Sequence, residues 1–260
     1  MPPIIVGIDG TSEDAFGSNT VSRNNNYDEV FANSFVRRIC GTEPNTMYLR
    51  GPGYLPFNNG LLDAIHTGRD FILRKRLAGV NEPILLTGYS RGAAGAIVIA
   101  RMLGFPQHKI AVEALLLFDC VNKDMRIDSD LIPDNVGYVL HVMRSDAANS
   151  RKSFGHSGTR PFPGSRTVYP RPKEFTCTHA GMGGVPWPLK PGDLPSHFIS
   201  EGKSAYGGLP EERTYVTYLQ DAIGAEEVQS YIKTFMREHG FPIPPDVSYS
   251  LQLLRQPTRT

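Results

Sequence analysis

One serine lies between two glycines in a pattern typical of a nucleophile, within Gly88–Gly92 (G-Y-S-R-G). A G-x-S-x-G sequence indicates a nucleophilic serine where it joins a strand to a helix, because the sharp turn between them exposes the serine hydroxyl. Here an apolar run precedes Ser90, and a run of small residues that suits close helix packing follows it. The pattern therefore predicts a nucleophilic Ser90 rather than a serine in an ordinary glycine-rich loop.

A serine hydroxyl needs a base that takes its proton and an acid that orients the base. In folds that carry a nucleophile on a strand–turn–helix motif of this kind, the chain order is serine, acid, histidine, and each residue follows a later strand. Asp119 and Asp146 both satisfy that order, with a turn or helix-cap role as the alternative for each. His179 follows the last strand-like run on a glycine-rich turn that we expect to be flexible, and is the first choice of base. His197 is the second choice and His156 the third.

Stabilisation of the oxyanion in acyl transfer requires backbone N–H donors close to the nucleophile. Arg91, the residue after the serine, is expected to supply one of them. The second is expected from Gly10 or Thr11, which follow the first apolar run. An ordinary turn is the alternative interpretation of this Asp-Gly-Thr stretch.

The elements that must position these residues alternate along the chain. Short, mostly apolar runs are typical of strands that are buried on both faces. Such runs are Ile4–Ile8, Thr46–Leu49, Ile84–Thr87, Ala114–Phe118, Tyr138–Val142 and Glu174–Thr178. Segments with helical periodicity are Asp28–Ile39, Leu61–Leu77, Arg91–Leu103 and Ala225–His239. The alternation predicts an α/β fold with a mostly parallel sheet and helices on both faces.

Composition limits the classes of partner and compartment. The 260 residues, 40% of them hydrophobic, are expected to form a single domain over 1–260. The formal charge of +1 argues against nucleic acid as a partner. Three widely spaced cysteines indicate neither a disulfide framework nor a zinc site, and we expect no metal or cofactor. No signal peptide or transmembrane run is recognisable, so we expect a protein made in the cytoplasm, with signal-independent export left open.

One long segment interrupts the strand–helix alternation. Residues 147–173 contain six basic residues and no acidic one, and they are rich in Gly, Pro and Ser. Loops of this length are usually functional or disordered. We interpret the segment as a lid or site wall that attracts an anionic group or a membrane surface, with a solvated excursion as the alternative. A second Gly- and Pro-rich stretch, Gly181–Pro210, is also expected to be a loop.

Several stretches, in the same order, resemble the α/β-hydrolase family that includes the first family of type VI secretion phospholipase effectors. That family carries F-D-G-T, G-V-G, G-F-S-R-G-A, D-T-V and H-x-D-V-G-G, as well as an H-A-L-A-L-D-E-R-R stretch. The similar stretches here are Ile8–Thr11 (I-D-G-T), Arg50–Gly53 (R-G-P-G), Gly88–Ala93 (G-Y-S-R-G-A), Asp119–Val121 (D-C-V), His141–Asp146 (H-V-M-R-S-D) and His179–Gly184 (H-A-G-M-G-G).

The resemblance implies an α/β-hydrolase fold with Ser90, Asp119 and His179 as the catalytic triad. It favours Asp119 over Asp146 as the acid. The implied activity is hydrolysis of carboxylic esters, with lipid or phospholipid esters as the first candidate substrates. Two alternatives stay open: a non-catalytic binding module on the same fold, and an esterase or thioesterase for a small soluble substrate.

Overall fold

A computed structural model describes residues 2–11, 29–41, 44–53, 60–201 and 213–255 of the chain. Its strands are β1 (Ile4–Ile8), β2 (Thr46–Leu49), β3 (Ile84–Tyr89), β4 (Val112–Phe118), β5 (Leu131–Ile132), β6 (Val136–Arg144), β7 (Arg160–Pro161), β8 (Lys173–Phe175), β9 (Phe198–Ser200) and β10 (Arg213–Thr217). Its α-helices are α1 (Phe35–Cys40), α2 (Leu61–Leu77), α3 (Arg91–Gly104), α4 (His179–Met182), α5 (Tyr218–Glu238) and α6 (Tyr249–Leu254).

A six-stranded parallel sheet forms the centre of the fold, in the order β2-β1-β3-β4-β6-β8. Each of the six predicted apolar runs contributes a strand to it. The last run is shorter than predicted, because β8 ends at Phe175 rather than at residue 178. The remaining strands form two small pairs, β9 with β10 and β5 with β7. The predicted α/β architecture, a mostly parallel sheet with helices on both faces, is confirmed.

Alternate residues of β1 point into two separate cores, as the period of a strand requires. Ile4, Val6 and Ile8 pack on one face of the sheet with α2 and α3. Ile5 faces the other side, where α1, α5 and α6 pack. Because both faces of the sheet are covered, its central strands β1, β3 and β4 are apolar along most of their length rather than alternating.

Two helix predictions differ from the structure. The predicted helix over residues 28–39 is interrupted: Glu29–Asn33 is a 3-10 helix, and α1 begins only at Phe35. Asp28 lies outside the described residues. Ser34 causes the break, because its side chain accepts a hydrogen bond from the Arg37 N–H and so caps α1. The other helix, α5, begins at Tyr218 rather than at residue 225, after a capping box formed by Thr217 and Gln220.

The carboxyl ends of the parallel strands meet at one edge of the sheet. Ser90 follows β3, Asp119 follows β4 and His179 lies after β8, so the fold brings the three predicted triad residues to this edge. Within the described ranges, no helix is long and apolar enough to cross a bilayer.

Candidate active site

Ser90 occupies a sharp turn between β3 and α3. Its φ of 57° and ψ of −127° lie in a region that costs a residue with a side chain about 1–3 kcal/mol. The turn is tight enough to require glycine on both sides: a Cβ on Gly88 would lie 2.5 Å from the Gly92 carbonyl oxygen. A Cβ on Gly92 would lie 2.2 Å from the Ile8 carbonyl oxygen. The predicted strand–turn–helix setting of Ser90 is therefore present.

A chain of hydrogen bonds joins Ser90, His179 and Asp119. The Nε2 atom of His179 is 2.9 Å from Ser90 Oγ, and its Nδ1 atom is 2.6 Å from Asp119 Oδ2. All three residues are buried. Because Asp119 accepts the proton on Nδ1, Nε2 is left as the acceptor for the serine hydroxyl. This arrangement has the geometry that proton transfer from serine to histidine requires.

Asp119 is held by more than the histidine. The Nη1 atom of Arg144 lies 2.6 Å from Asp119 Oδ2, and the backbone N–H of Arg144 donates to Oδ1 at 3.3 Å. His156 Nδ1 lies 3.4 Å from the same Oδ1. Burial by itself would raise the pKa of Asp119, but Arg144 and the hydrogen bonds from His156 and His179 hold that pKa well below its usual value. The carboxylate is thus charged at neutral pH.

The pKa of His179 is lowered, mainly because burial disfavours the imidazolium, although Asp119 opposes that effect. The positive charges of Arg144 and Arg151 lower it further. His179 is therefore neutral at neutral pH, which is the state a general base needs.

The histidine lies in a structured turn rather than the flexible glycine-rich turn that the sequence indicated. It is the first residue of α4, and the side chain of Thr178 caps that helix by accepting from the Gly181 N–H. Asp221 of α5 fixes the cap, because its Oδ1 accepts from the Thr178 N–H at 2.7 Å. The backbone N–H of His179 itself donates to Ser150 Oγ at 2.8 Å.

Two aromatic rings enclose the imidazole. Tyr89 packs against His179 at 5.0 Å between ring centroids, and Phe154 meets it edge-on at 5.3 Å. Glycines allow the approach of Tyr89, since a Cβ on Gly10 would lie 2.4 Å from the tyrosine ring and one on Gly183 would lie 2.7 Å from it. The base is thus shielded from water on two sides.

The predicted oxyanion donors are partly corrected by the structure. Arg91 begins α3 directly after Ser90, as predicted. Its side chain ties two loops to the site, because Nε donates to Thr11 Oγ1 at 2.7 Å and Nη2 donates to the Gly53 carbonyl at 2.6 Å. The N–H of Gly10, however, donates to Asp9 Oδ1 at 2.9 Å. The prediction for Gly10 is wrong in this conformation, because that donor is engaged, whereas Thr11 stays a candidate.

Asp9 forms a buried polar cluster at the end of β1. Its Oδ2 accepts hydrogen bonds from the hydroxyls of Ser34 and Tyr48. Burial raises the pKa of Asp9 to about 7, against the lowering effect of these hydrogen bonds. The cluster fixes the loop that carries Thr11 next to the serine.

The other candidates for the acid and the base are Asp146, His197 and His156. Asp146 is exposed and begins a 3-10 helix, Asp146–Ala148. His197 is exposed, and its Nδ1 accepts from the Leu194 N–H and lies 3.3 Å from Asp193. His156 lies beside Asp119 on the side away from the His179 hydrogen bond, since the two rings contact different carboxylate oxygens.

The basic segment 147–173 does not form one lid over the site. Its first part adjoins the site, where Arg151 pairs with the buried Glu201. It then returns along the sheet, where β7 pairs with β5 and Val168 bridges to Tyr138. The basic residues are therefore spread along the segment, since Arg151 lies beside the site, Arg160 lies in β7 and Lys173 lies in β8.

A cavity of about 370 Å³ adjoins the first part of this segment. It is lined by Arg144, Ser145, Asp146, Ser150, Lys152, Gly155 and His156.

Of the second loop-like stretch, residues 202–210 lie outside the described residues. Among the residues that are described, no group of three His, Cys, Asp or Glu side chains is arranged to hold a metal ion.

Sequence reasoning missed two residues that hold the site together, Arg144 and Asp221. Arg144 ends the apolar strand β6, and a charged residue in that position was the same signal that identified the acids. Asp221 lies inside a helix with no local signal of its role, and only the tertiary packing of α5 on α4 reveals it.

Comparison with known proteins adds little to this geometry. No known family profile matches the chain, and no curated protein matches it. Among solved structures, an uncharacterised protein from Pseudomonas aeruginosa matches with 14% identity and a TM-score of 0.41 over 93% of this chain. The chain spans 46% of that protein's length.

Proposed function

We propose that this protein is a serine hydrolase that cleaves carboxylic esters. The observation that carries the proposal is the buried hydrogen-bond chain from Ser90 Oγ through the His179 ring to Asp119, at 2.9 Å and 2.6 Å. It begins at a serine whose backbone is held in a strained turn, and such strain clusters at functional sites.

The proposed reaction proceeds in two steps. Ser90 Oγ attacks the ester carbonyl while Nε2 of His179 takes the hydroxyl proton. The tetrahedral oxyanion is held by the Arg91 N–H and a donor of the Thr11 loop, and it collapses as His179 returns the proton to the leaving alcohol. Water, deprotonated by the same Nε2, then attacks the acyl-serine, and the second tetrahedral intermediate releases the carboxylic acid as His179 returns that proton to Ser90 Oγ. Asp119 keeps the imidazole in the required tautomer and stabilises its charged form.

Lipid or phospholipid esters are the proposed substrates. The family resemblance supports them, and so does the aromatic surface that Phe154 presents beside the base. Arg151 and Lys123 lie over the Phe154 ring, at 5.6 Å and 5.9 Å from its centroid, and place positive charge next to an apolar wall. An apolar wall with adjacent cations suits an acyl chain that is attached to an anionic head group.

Covalent labelling tests the hydrolase proposal. A fluorophosphonate probe should add one adduct to the wild type, read by intact mass, and none to Ser90→Ala or His179→Ala. Ser230→Ala, an exposed serine on α5, is the matched control and should label like the wild type. A folded wild type that takes no label would contradict the proposal and favour the non-catalytic binding module.

A panel of p-nitrophenyl esters of increasing acyl length tests the substrate. Rising kcat/KM with chain length supports lipid esters, because each added methylene buries more apolar surface. A preference for acetyl or butyryl esters would contradict the lipid assignment and favour a small soluble ester.

A further inference from the structure

We infer that Arg144 is a positioning residue that holds Asp119 and the loop at residues 150–155 together as one unit around His179. We call this loop the clasp loop. The inference rests on the proposed function, and it adds to the triad a residue that does not touch the reacting atoms.

The contacts of Arg144 run in two directions. Toward the triad, Nη1 donates to Asp119 Oδ2 at 2.6 Å. Toward the clasp loop, Nε donates to the Ser150 carbonyl at 2.8 Å, and Nη2 donates to the carbonyls of Arg151 and Gly155 at 2.9 Å and 3.2 Å. The side chain is only 4% exposed. A planar guanidinium can serve all these acceptors at once, whereas an ammonium group on a flexible stem cannot.

The clasp loop also contacts His179 directly. Ser150 Oγ accepts the backbone N–H of His179 at 2.8 Å, and the Phe154 ring meets the imidazole edge-on at 5.3 Å. Glu201 anchors the same loop, because its carboxylate accepts from Ser150 Oγ at 2.9 Å and from the Arg151 N–H at 3.1 Å. Arg144 therefore joins the acid to the loop that contacts His179.

Backbone strain shows that the clasp loop needs such an anchor. Arg151 has a φ of 42°, and Asn149, just before the loop, has a φ of 50°. Residues other than glycine adopt these values only where the surrounding structure over-determines them. The hydrogen bonds from Arg144 and to Glu201 fall on the carbonyl and the N–H of Arg151, directly at the strained position.

Arg144 also acts on the triad through its charge. It lowers the pKa of Asp119. It also lowers the pKa of His179, on which burial has the larger lowering effect and Asp119 acts in the opposite direction. Among the described residues, the other titratable side chains near this pair include Arg151 with Glu201 on the side of His179, and His156 and His141 near Asp119. Two substitutions distinguish the effect of the positive charge of Arg144 from the effect of its guanidinium hydrogen bonds.

Arg144→Lys keeps the charge and loses the guanidinium hydrogen bonds, whereas Arg144→Gln loses both. For Arg144→Lys we expect kcat on a p-nitrophenyl ester to fall by about 100-fold, the cost of a base displaced by about 1 Å, with KM little changed. The acidic limb of its kcat/KM profile should stay in place. For Arg144→Gln the acidic limb should move to higher pH, because a charge that lowers the pKa of His179 has been removed. Arg101→Gln removes a charge from the far end of α3 and should change neither quantity.

Titration of the His179 ring by NMR gives a readout that does not require activity. The His179 signal, assigned by its loss in His179→Gln, should titrate at higher pH in Arg144→Gln than in the wild type. Wild-type kcat in Arg144→Lys, or an unchanged His179 titration in Arg144→Gln, would overturn the inference. A wild type that neither labels nor hydrolyses esters would refute the proposed function, while the NMR titration would still decide the role of Arg144. If Arg144→Gln does not fold, the kcat of Arg144→Lys decides it.

Discussion

Replacement of Ser90 by glycine and by alanine measures the strain stored in the turn. Both substitutions remove the hydroxyl and its hydrogen bond to His179, so the difference between them isolates the backbone. At a φ of 57° and a ψ of −127°, alanine retains a strain of about 1–3 kcal/mol that glycine does not feel. Glycine loses about 0.5–1 kcal/mol more conformational entropy on folding. We therefore expect Ser90→Gly to be more stable than Ser90→Ala by about 1 kcal/mol.

The assay is chemical unfolding of both variants, supported by thermal unfolding, in which 1 kcal/mol corresponds to about 2–4 °C for a chain of this size. The matched control is the same pair at Ser230, an exposed position inside α5. There the order should reverse, with glycine less stable by about 1 kcal/mol, because a helix interior disfavours it. If Ser90→Gly were the less stable of its pair as well, the turn would not be strained and the reasoning would be refuted.

Two further predictions concern buried charges. Burial raises the pKa of Asp9 from 3.8 to about 7, so between these two pH values the folded protein holds a proton that the unfolded chain has lost. The free energy of unfolding therefore falls as the pH rises from 3.8 to about 7. This loss is about 4 kcal/mol at most. Urea unfolding across the same pH range should show that Asp9→Asn removes most of this pH dependence. An unchanged dependence on pH in the variant would contradict the raised pKa of Asp9. Arg144→Gln removes the arginine that pairs with the buried Asp119 carboxylate and should cost about 3–5 kcal/mol in chemical unfolding. Adding Asp119→Asn should recover most of that loss, and additive losses would show that the two side chains are not coupled.

Much of the fold follows from local sequence because the sheet is buried on both faces. The segments that became β1, β3 and β4 are apolar almost throughout, so each run marked a strand without knowledge of its neighbours. The order of the proposed triad residues follows as well, since the carboxyl ends of parallel strands share one edge. A polar residue directly after such a strand, as at Ser90 and Asp119, must lie at that edge.

The details that sequence did not predict depend on side-chain rotamers and on contacts between distant segments of the chain. Whether the Gly10 N–H is available depends on the side-chain rotamer of Asp9, and no spacing rule specifies that. The break before α1 depends on Ser34, which caps the helix and also bonds to the same Asp9. The path of the basic segment depends on the pairing of β7 with β5. The Ser34–Asp9 contact and the β5–β7 pairing join residues that are far apart along the chain, so no local pattern indicates them.

Ser90 and Asp119 show how a regular sheet holds irregular residues in place. Both have positive φ, 57° and 45°, and each comes directly after its strand. Yet the ladder of the sheet continues through them: the Ser90 N–H donates to the Phe118 carbonyl at 2.9 Å, and the Asp119 N–H donates to the Val142 carbonyl at 2.8 Å. The strained residues are therefore fixed by the same hydrogen bonds that define the sheet. The proposed nucleophile and acid, held in this way, need little rearrangement to act, which is the condition under which preorganised polar groups stabilise a transition state best.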